Sequence, residues 1–311
     1  MIRIFQCVVA VVLQEDVFVK KMKVGRQMEE TQRKIGVVAT SGAVSSAAFE
    51  KGVSHLNAMG CEVAVDPSVY AATGYLAGSP QERASVFSAY CGQDLYLIIG
   101  ARGGFGALEL LAHFEENAFS ELPLVMGFSD MSAILMRCVA LGVEVVHGPT
   151  VQSLGHASQH TLAAVKRLIL YGEVENPLGG EWSSLCSGWG EGVLAGGNLM
   201  TLASMCGTPW QPEFSGCVVA LEEVNEAPYR VDRALTQLYL AGCFNGVKGI
   251  LLGECLNCGE LGAVEAIFRA RFEGAHLPVV SGGLFGHGAV NLPMIFGRRV
   301  SLSSDDGFSY V

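Results

Sequence analysis

Charged residues are scarce in this chain. Only 16% of its 311 residues are Asp, Glu, Lys or Arg, against about 25% in an ordinary soluble domain. Basic residues are the scarcer sign: 20 Lys and Arg stand against 30 Asp and Glu, a net charge of −10. With no basic run either, an extended nucleic acid is excluded as a partner, because neutralising phosphates needs a positive face. A membrane-spanning run is lacking too. Ile2–Leu13 is apolar but broken by Gln6, and it falls short of the roughly 20 residues a bilayer requires. It has no small-x-small cleavage site and runs straight into Gln14-Glu15-Asp16, which fits a secretory signal poorly. Residues 1–34 are therefore read as an N-terminal extension of a cytoplasmic protein, with a later start at Met22 or Met28, or export, as alternatives. Matched cysteine pairs are missing as well. The ten cysteines are scattered, and Cys138, Cys206, Cys217 and Cys243 sit in apolar runs, as buried thiols do in a reducing compartment. Cys255 and Cys258 form the one close pair and have no second pair to complete a zinc site. A surface loop is the reading there, and no metal or cofactor is expected.

Glycine, by contrast, is abundant: 39 of 311 residues, nearly twice the usual ~7%. The glycines follow no three-residue period, which excludes collagen. Half of the chain is hydrophobic, which excludes disorder. The excess points to tight turns or to loops where backbone approaches a ligand.

From Lys34 onward, short apolar runs alternate with amphipathic stretches. Strands are expected at Ile35–Ala39, Cys61–Val65, Leu95–Ile99, Leu122–Met126 and Val143–Val146. Helices are expected at Ser45–Met59, Pro80–Tyr90, Leu108–His113 and Met131–Leu141. Continuous apolar strands alternating with helices imply a parallel sheet covered on both faces. Turn formers crowd residues 172–192, which reads as a linker between an α/β unit at 35–171 and a second unit at 193–311. The second unit mixes strands (Cys217–Leu221, Gly249–Leu252, Val279–Ser281) with helices (Leu199–Met205, Arg230–Leu240, Ala263–Phe272). A hairpin is expected around Gly297-Arg-Arg299.

Open parallel sheets bind ligands at the carboxyl ends of their strands, and three such ends are unusual here. Ala101-Arg-Gly-Gly-Phe-Gly106 can turn backbone N–H groups toward an anion or oxyanion, although a structural turn explains its spacing equally well. Gly127-Phe-Ser-Asp130 places a serine at a sharp strand-to-helix turn, the logic of a nucleophile elbow. The Asp130 N–H would then face the same point, while helix capping by Ser129 or Asp130 is the alternative. Ser281-Gly-Gly-Leu-Phe-Gly-His-Gly288 flanks His287 with glycine, and His147-Gly-Pro149 offers a rival base. A carboxylate to orient the base is available after the strand Cys217–Leu221, as Glu222, Glu223 or Glu226.

Taken in order, Arg102-Gly-Gly-Phe-Gly106, Gly127-Phe-Ser-Asp130, His147-Gly-Pro149, Gly196-Gly-Asn-Leu199, Leu221-Glu-Glu-Val-Asn-Glu-Ala-Pro-Tyr-Arg230 and Gly286-His-Gly288 resemble the LD-carboxypeptidase family of serine peptidases. That family also contains the microcin C immunity proteins. The resemblance runs from about Ile35 to about Val300. It implies a flavodoxin- or Rossmann-like N-terminal domain, a β-rich, swivelling-barrel-like C-terminal α/β domain, and a homodimer. It also implies a triad of Ser129, Glu222 and His287, with an oxyanion hole at the N–H groups of Gly104 and Asp130. The implied activity is hydrolysis of the amide between a diamino acid and D-alanine in a muropeptide tetrapeptide. Arg102, Glu226 and Arg230 are candidates for binding the charged ends of such a substrate. Two alternatives stand beside this one. A microcin-type amidase would act on aminoacyl nucleotides, with Trp182 and Trp189 as candidate stacking platforms. A non-catalytic module would bind a ligand in the same cleft.

Overall fold

The computed structural model describes residues 33–114, 119 and 122–311; the expectations for the N-terminal extension lie outside them. The first sheet has six strands in the order β11-β5-β4-β3-β1-β2. Its sequence-local members are β1 (Lys34–Val38), β2 (Glu62–Val65), β3 (Leu97–Gly100), β4 (Leu124–Gly127) and β5 (Val145–His147), all parallel. The order 2-1-3-4-5 is that of flavodoxin-like folds, whose ligand crevice opens where the strand order reverses.

These strands are apolar throughout because both faces are covered. Ile35, Val37, Leu97, Ile99, Met126 and Val146 pack beneath the helices Ser46–Ala58 and Gln159–Tyr171. The alternate residues Val38, Ile98, Val125 and Val145 belong to a second cluster, which runs through the helix Ser132–Ala140 into the second sheet. The helix at Pro80–Cys91 begins where its sequence says it should. Ser79 and Glu82 form a reciprocal capping box, and Pro80 occupies the first turn, where its missing N–H costs nothing.

The second sheet has seven strands in the order β13-β12-β7-β8-β9-β10-β6. Its centre is the parallel set β7 (Trp189–Asn198), β8 (Cys217–Val224), β9 (Gly249–Leu256) and β10 (Val279–Ser281). The edges are antiparallel: β6 (Ser183–Cys186) on β10, and β12 (Arg299–Ser303) between β7 and β13 (Gly307–Tyr310). The whole is an α/β fold of a parallel-dominated sheet and a curled, half-barrel-like one.

Two local expectations are corrected. The turn-rich stretch 172–192 contains β6 and the start of β7, since antiparallel pairing asks only for extended backbone and a buried Leu185. No hairpin forms around Gly297-Arg-Arg299. The strand before it, β11 (Met294–Phe296), pairs with β5 of the first sheet, while β12 pairs with β7 and β13 of the second. Gly297, at φ +92°, turns the chain from one sheet to the other. The hairpin lies one strand later, between β12 and β13. No helix among the described residues is long and apolar enough to cross a membrane.

Candidate active site

Ser129 sits directly beyond β4 with φ +61°, a left-handed conformation that costs an L-residue about 1–2 kcal/mol. The turn is held tight from below. A Cβ on Gly127 or on Gly100 would come within 2.3 Å or 2.0 Å of Met131 Sδ, so the glycine ends of β3 and β4 make the floor into which Met131 packs. Above the turn, a Cβ on Gly103 would lie 3.0 Å from Ser129 Oγ and 3.8 Å from the Asp130 nitrogen. The glycine loop is thus in contact with the serine. Among the described residues, the N–H groups of Gly104 and Asp130 donate to no protein acceptor.

The Asp130 side chain anchors that loop. Its buried carboxylate accepts from Ser41 Oγ at 2.6 Å and from the Ala107 N–H at 2.8 Å. Burial pushes its pKa up, against the pull of these hydrogen bonds and of Arg83. Arg83 is 1% exposed and donates to the carbonyls of Thr40, Gly78 and Gly106. It ties together the loops that follow β1 and β3. It also pairs with Glu109 Oε2 at 3.5 Å; sequence reading missed it, because Thr40, Gly106 and Glu109 are all distant from it along the chain.

The two remaining groups come from the second half of the chain. Glu222 is fully buried, and its Oε2 lies 2.7 Å from His287 Nδ1. Neighbours on a strand face opposite ways, so Glu223 cannot share that role. It accepts instead from Asn198 Nδ2, Met200 N–H and Val224 N–H, and burial raises its pKa. A bulge between Leu221 and Glu223 marks the point where the two diverge. Burial alone would lower the His287 pKa, but its hydrogen bond to Glu222 and the charges of Glu222 and Glu223 outweigh it, and the net shift is upward. Gly286, at φ +109°, carries the imidazole past Glu222, and Asn291 Oδ1 accepts its N–H.

Ser129 and His287 line one cavity of about 380 Å³, together with Arg102, Gly104, His156 and Asn291. Phe128, beside the serine, packs on the His287 ring with centroids 4.6 Å apart. No Asp, Glu or Lys is among the cavity's lining residues. Arg102 is the one permanently charged side chain in that lining. Glu226 and Arg230 are not among the lining residues; they form an ion pair with each other at the start of the helix Pro228–Leu240. His147 is fully buried among aromatic rings, and burial pushes its pKa down to about 4. Trp182 packs against the hydrophobic core, and Trp189 is exposed; neither lines the cavity. Among the described residues, Cys255 and Cys258 are free thiols, and no three metal-ligating side chains gather at one point.

The first sheet matches the LD-carboxypeptidase N-terminal domain over residues 35–148, and the second half matches the LD-carboxypeptidase C-terminal domain over residues 191–302. A Synechocystis sp. protein bearing a carboxypeptidase name is 33% identical over 282 residues, covering 88% of this chain and 92% of the relative. The crystal structure of muramoyltetrapeptide carboxypeptidase from Oxalobacter formigenes superposes with a TM-score of 0.73 at 28% identity, covering 88% of this chain and 96% of that one. An MccF-like protein from Bacillus anthracis shares the fold, with a TM-score of 0.79 at 20% identity, over 90% of this chain and 96% of its own.

Proposed function

Because the chain belongs to the LD-carboxypeptidase family, we propose that it is a serine LD-carboxypeptidase that removes the terminal D-alanine from muropeptide tetrapeptides. The observation that carries this reading is the bonded pair Glu222–His287, set on one cavity with a serine held in a left-handed turn. Ser129 Oγ attacks the carbonyl of the amide between the diamino acid and D-alanine. His287 Nε2 takes the hydroxyl proton and delivers it to the leaving amine. Glu222, on Nδ1, fixes the tautomer and stabilises the imidazolium. The Gly104 and Asp130 N–H groups receive the tetrahedral oxyanion, worth roughly 3–4 kcal/mol per donor in comparable sites. Water then releases the acyl-enzyme, and no metal takes part. Arg102 meets the substrate's terminal carboxylate in a cavity free of competing acids.

Nucleotide amides are the less favoured substrates, since neither Trp182 nor Trp189 lines the cavity where a base would stack. The test is incubation with a defined tetrapeptide ending in a diamino acid and D-alanine, followed by mass. Loss of one alanine is expected from the wild type and none from Ser129→Ala. Turnover by Ser129→Ala would sink the serine mechanism. Faster turnover of an aminoacyl sulfamoyl-adenosine would move the assignment to that class. The same reading carries the expectation of a homodimer, which sedimentation of the full chain tests.

A further inference from the structure

Six buried side-chain polar atoms have no hydrogen-bond partner among the described residues, and four of them surround the His287 loop: both ring nitrogens of His147, Glu222 Oε1 and Asn291 Nδ2. A buried polar group left unpaired is destabilising, so a concentration of them beside one loop calls for a reason. Their chemistry is complementary. Glu222 Oε1 only accepts, the Asn291 amide donates, and a neutral imidazole offers one donor and one acceptor.

His147 is also held without freedom to turn away. Its backbone pairs with Gly127 of β4 on one side and Met294 of β11 on the other. Its ring is enclosed by Phe296 at 5.2 Å, Phe285 at 5.8 Å and Phe128 at 6.2 Å. Phe285 immediately precedes Gly286, whose Cα packs on Glu222, and Phe128 lies against the His287 ring. The charges that act on His147 are those of Glu222 and His287, and those acting on His287 are Glu222 and Glu223. His147 is fully buried and does not line the cavity, which removes it as a rival base, and burial keeps it neutral at physiological pH, so its ring still carries one N–H to donate.

We propose that His147 is a positioning residue: its imidazole donates, through an enclosed water, to Glu222 Oε1 and so holds the carboxylate in the orientation that bonds His287. A polar site ringed by several unpartnered groups is where internal water is found. The inference rests on the reading of His287 as the base, but it predicts something that needs no substrate. Removing a donor destabilises the ionised carboxylate, so the Glu222–His287 pair takes up its proton more readily.

The experiment is an NMR titration of the His287 ring in the full chain, for the wild type, His147→Gln, His147→Phe and His147→Met. Phe and Met fill the aromatic site in two shapes, so one folded variant suffices. Either is expected to raise the His287 pKa by about one unit, the scale of one hydrogen bond to a charged group. Either is also expected to lower kcat on the tetrapeptide by about 10- to 100-fold with KM kept within twofold. His147→Gln keeps an N–H donor and is expected to titrate as wild type. An unshifted His287 in a folded Phe or Met variant overturns the proposal. So does a shift in His147→Gln equal to that in His147→Phe, since packing would then be the cause. A wild type that leaves the tetrapeptide intact refutes the carboxypeptidase reading instead and leaves the titration result standing.

Discussion

Adding one methyl group at Gly286 tests how tightly the base and its carboxylate are held. In Gly286→Ala the new Cβ would lie 2.8 Å from Glu222 Cβ, 2.9 Å from its Oε2 and 3.1 Å from its Cγ. Favourable contacts between carbons begin at about 3.5 Å, so something must move by more than half an ångström. Glu222 is fully buried and its Oε2 is bonded to His287, so it can move only by disturbing that bond. The backbone at Gly286 has φ +109°, a conformation that costs a residue with a Cβ about 1–3 kcal/mol. Overpacking in a filled interior adds about 1–3 kcal/mol. The expected loss of stability is therefore on the order of 2–6 kcal/mol, or about 4–24 °C in Tm at the roughly 2–4 °C per kcal/mol of a 150–250-residue domain.

Gly288→Ala, two residues on, is the internal control. Its Cβ would meet Glu254 Cδ at 2.5 Å, but that carboxylate is the free end of a half-buried side chain, and Gly288 is not among the positive-φ glycines. A loss below about 1 kcal/mol is expected there. Urea denaturation of both variants reads the difference directly. On the tetrapeptide, Gly286→Ala is expected to lose kcat by up to about 10⁴-fold, the scale of losing the group that orients a catalytic histidine. Equal stability losses in the two variants, or a folded Gly286→Ala with wild-type kcat, would refute the steric reasoning.

Three further outcomes follow from the same geometry. Since the His287 pKa is raised and the imidazolium cannot accept a proton, kcat/KM is expected to fall as pH drops through a value above the ordinary ~6.5; a pH–rate profile locates the limb. Glu222→Gln removes the neighbour that raises that pKa, leaving burial to dominate, and is expected to move the limb to lower pH while cutting kcat. A profile that does not move would separate Glu222 from the base. Arg83→Met leaves the carbonyls of Thr40, Gly78 and Gly106 without their donor and is expected to cost about 2–4 kcal/mol in urea denaturation, with turnover reduced through the loosened glycine loop.

Much of the fold was legible because its signals are local. An apolar run of four or five residues, a proline opening a helix at Pro80 and a glycine at a strand end each act within a few residues, and the order of elements along the chain follows from them. The serine turn was legible for the same reason: Gly127-Phe-Ser-Asp130 carries its strain in adjacent residues. The strand β11 was not legible, because a three-residue apolar segment holds no information about which sheet it will join. Nor was Arg83, whose helix is ordinary and whose acceptors, Glu109 aside, are carbonyls that any sequence supplies.

By itself, then, the amino-acid sequence determined where strands end in glycine and which reactive residues stand there, since backbone conformation and apolar periodicity are properties of neighbours. The tertiary structure alone decided which carboxylate meets which imidazole. Glu222 and Glu223 are adjacent and chemically alike, yet one bonds His287, 65 residues away, and the other caps the turn at Met200. His147 and His287 both end in glycine, yet one is sealed among phenylalanines and the other lines the cavity. Those outcomes depend on burial and on contacts between distant segments, which arise only when the two sheets close on one another.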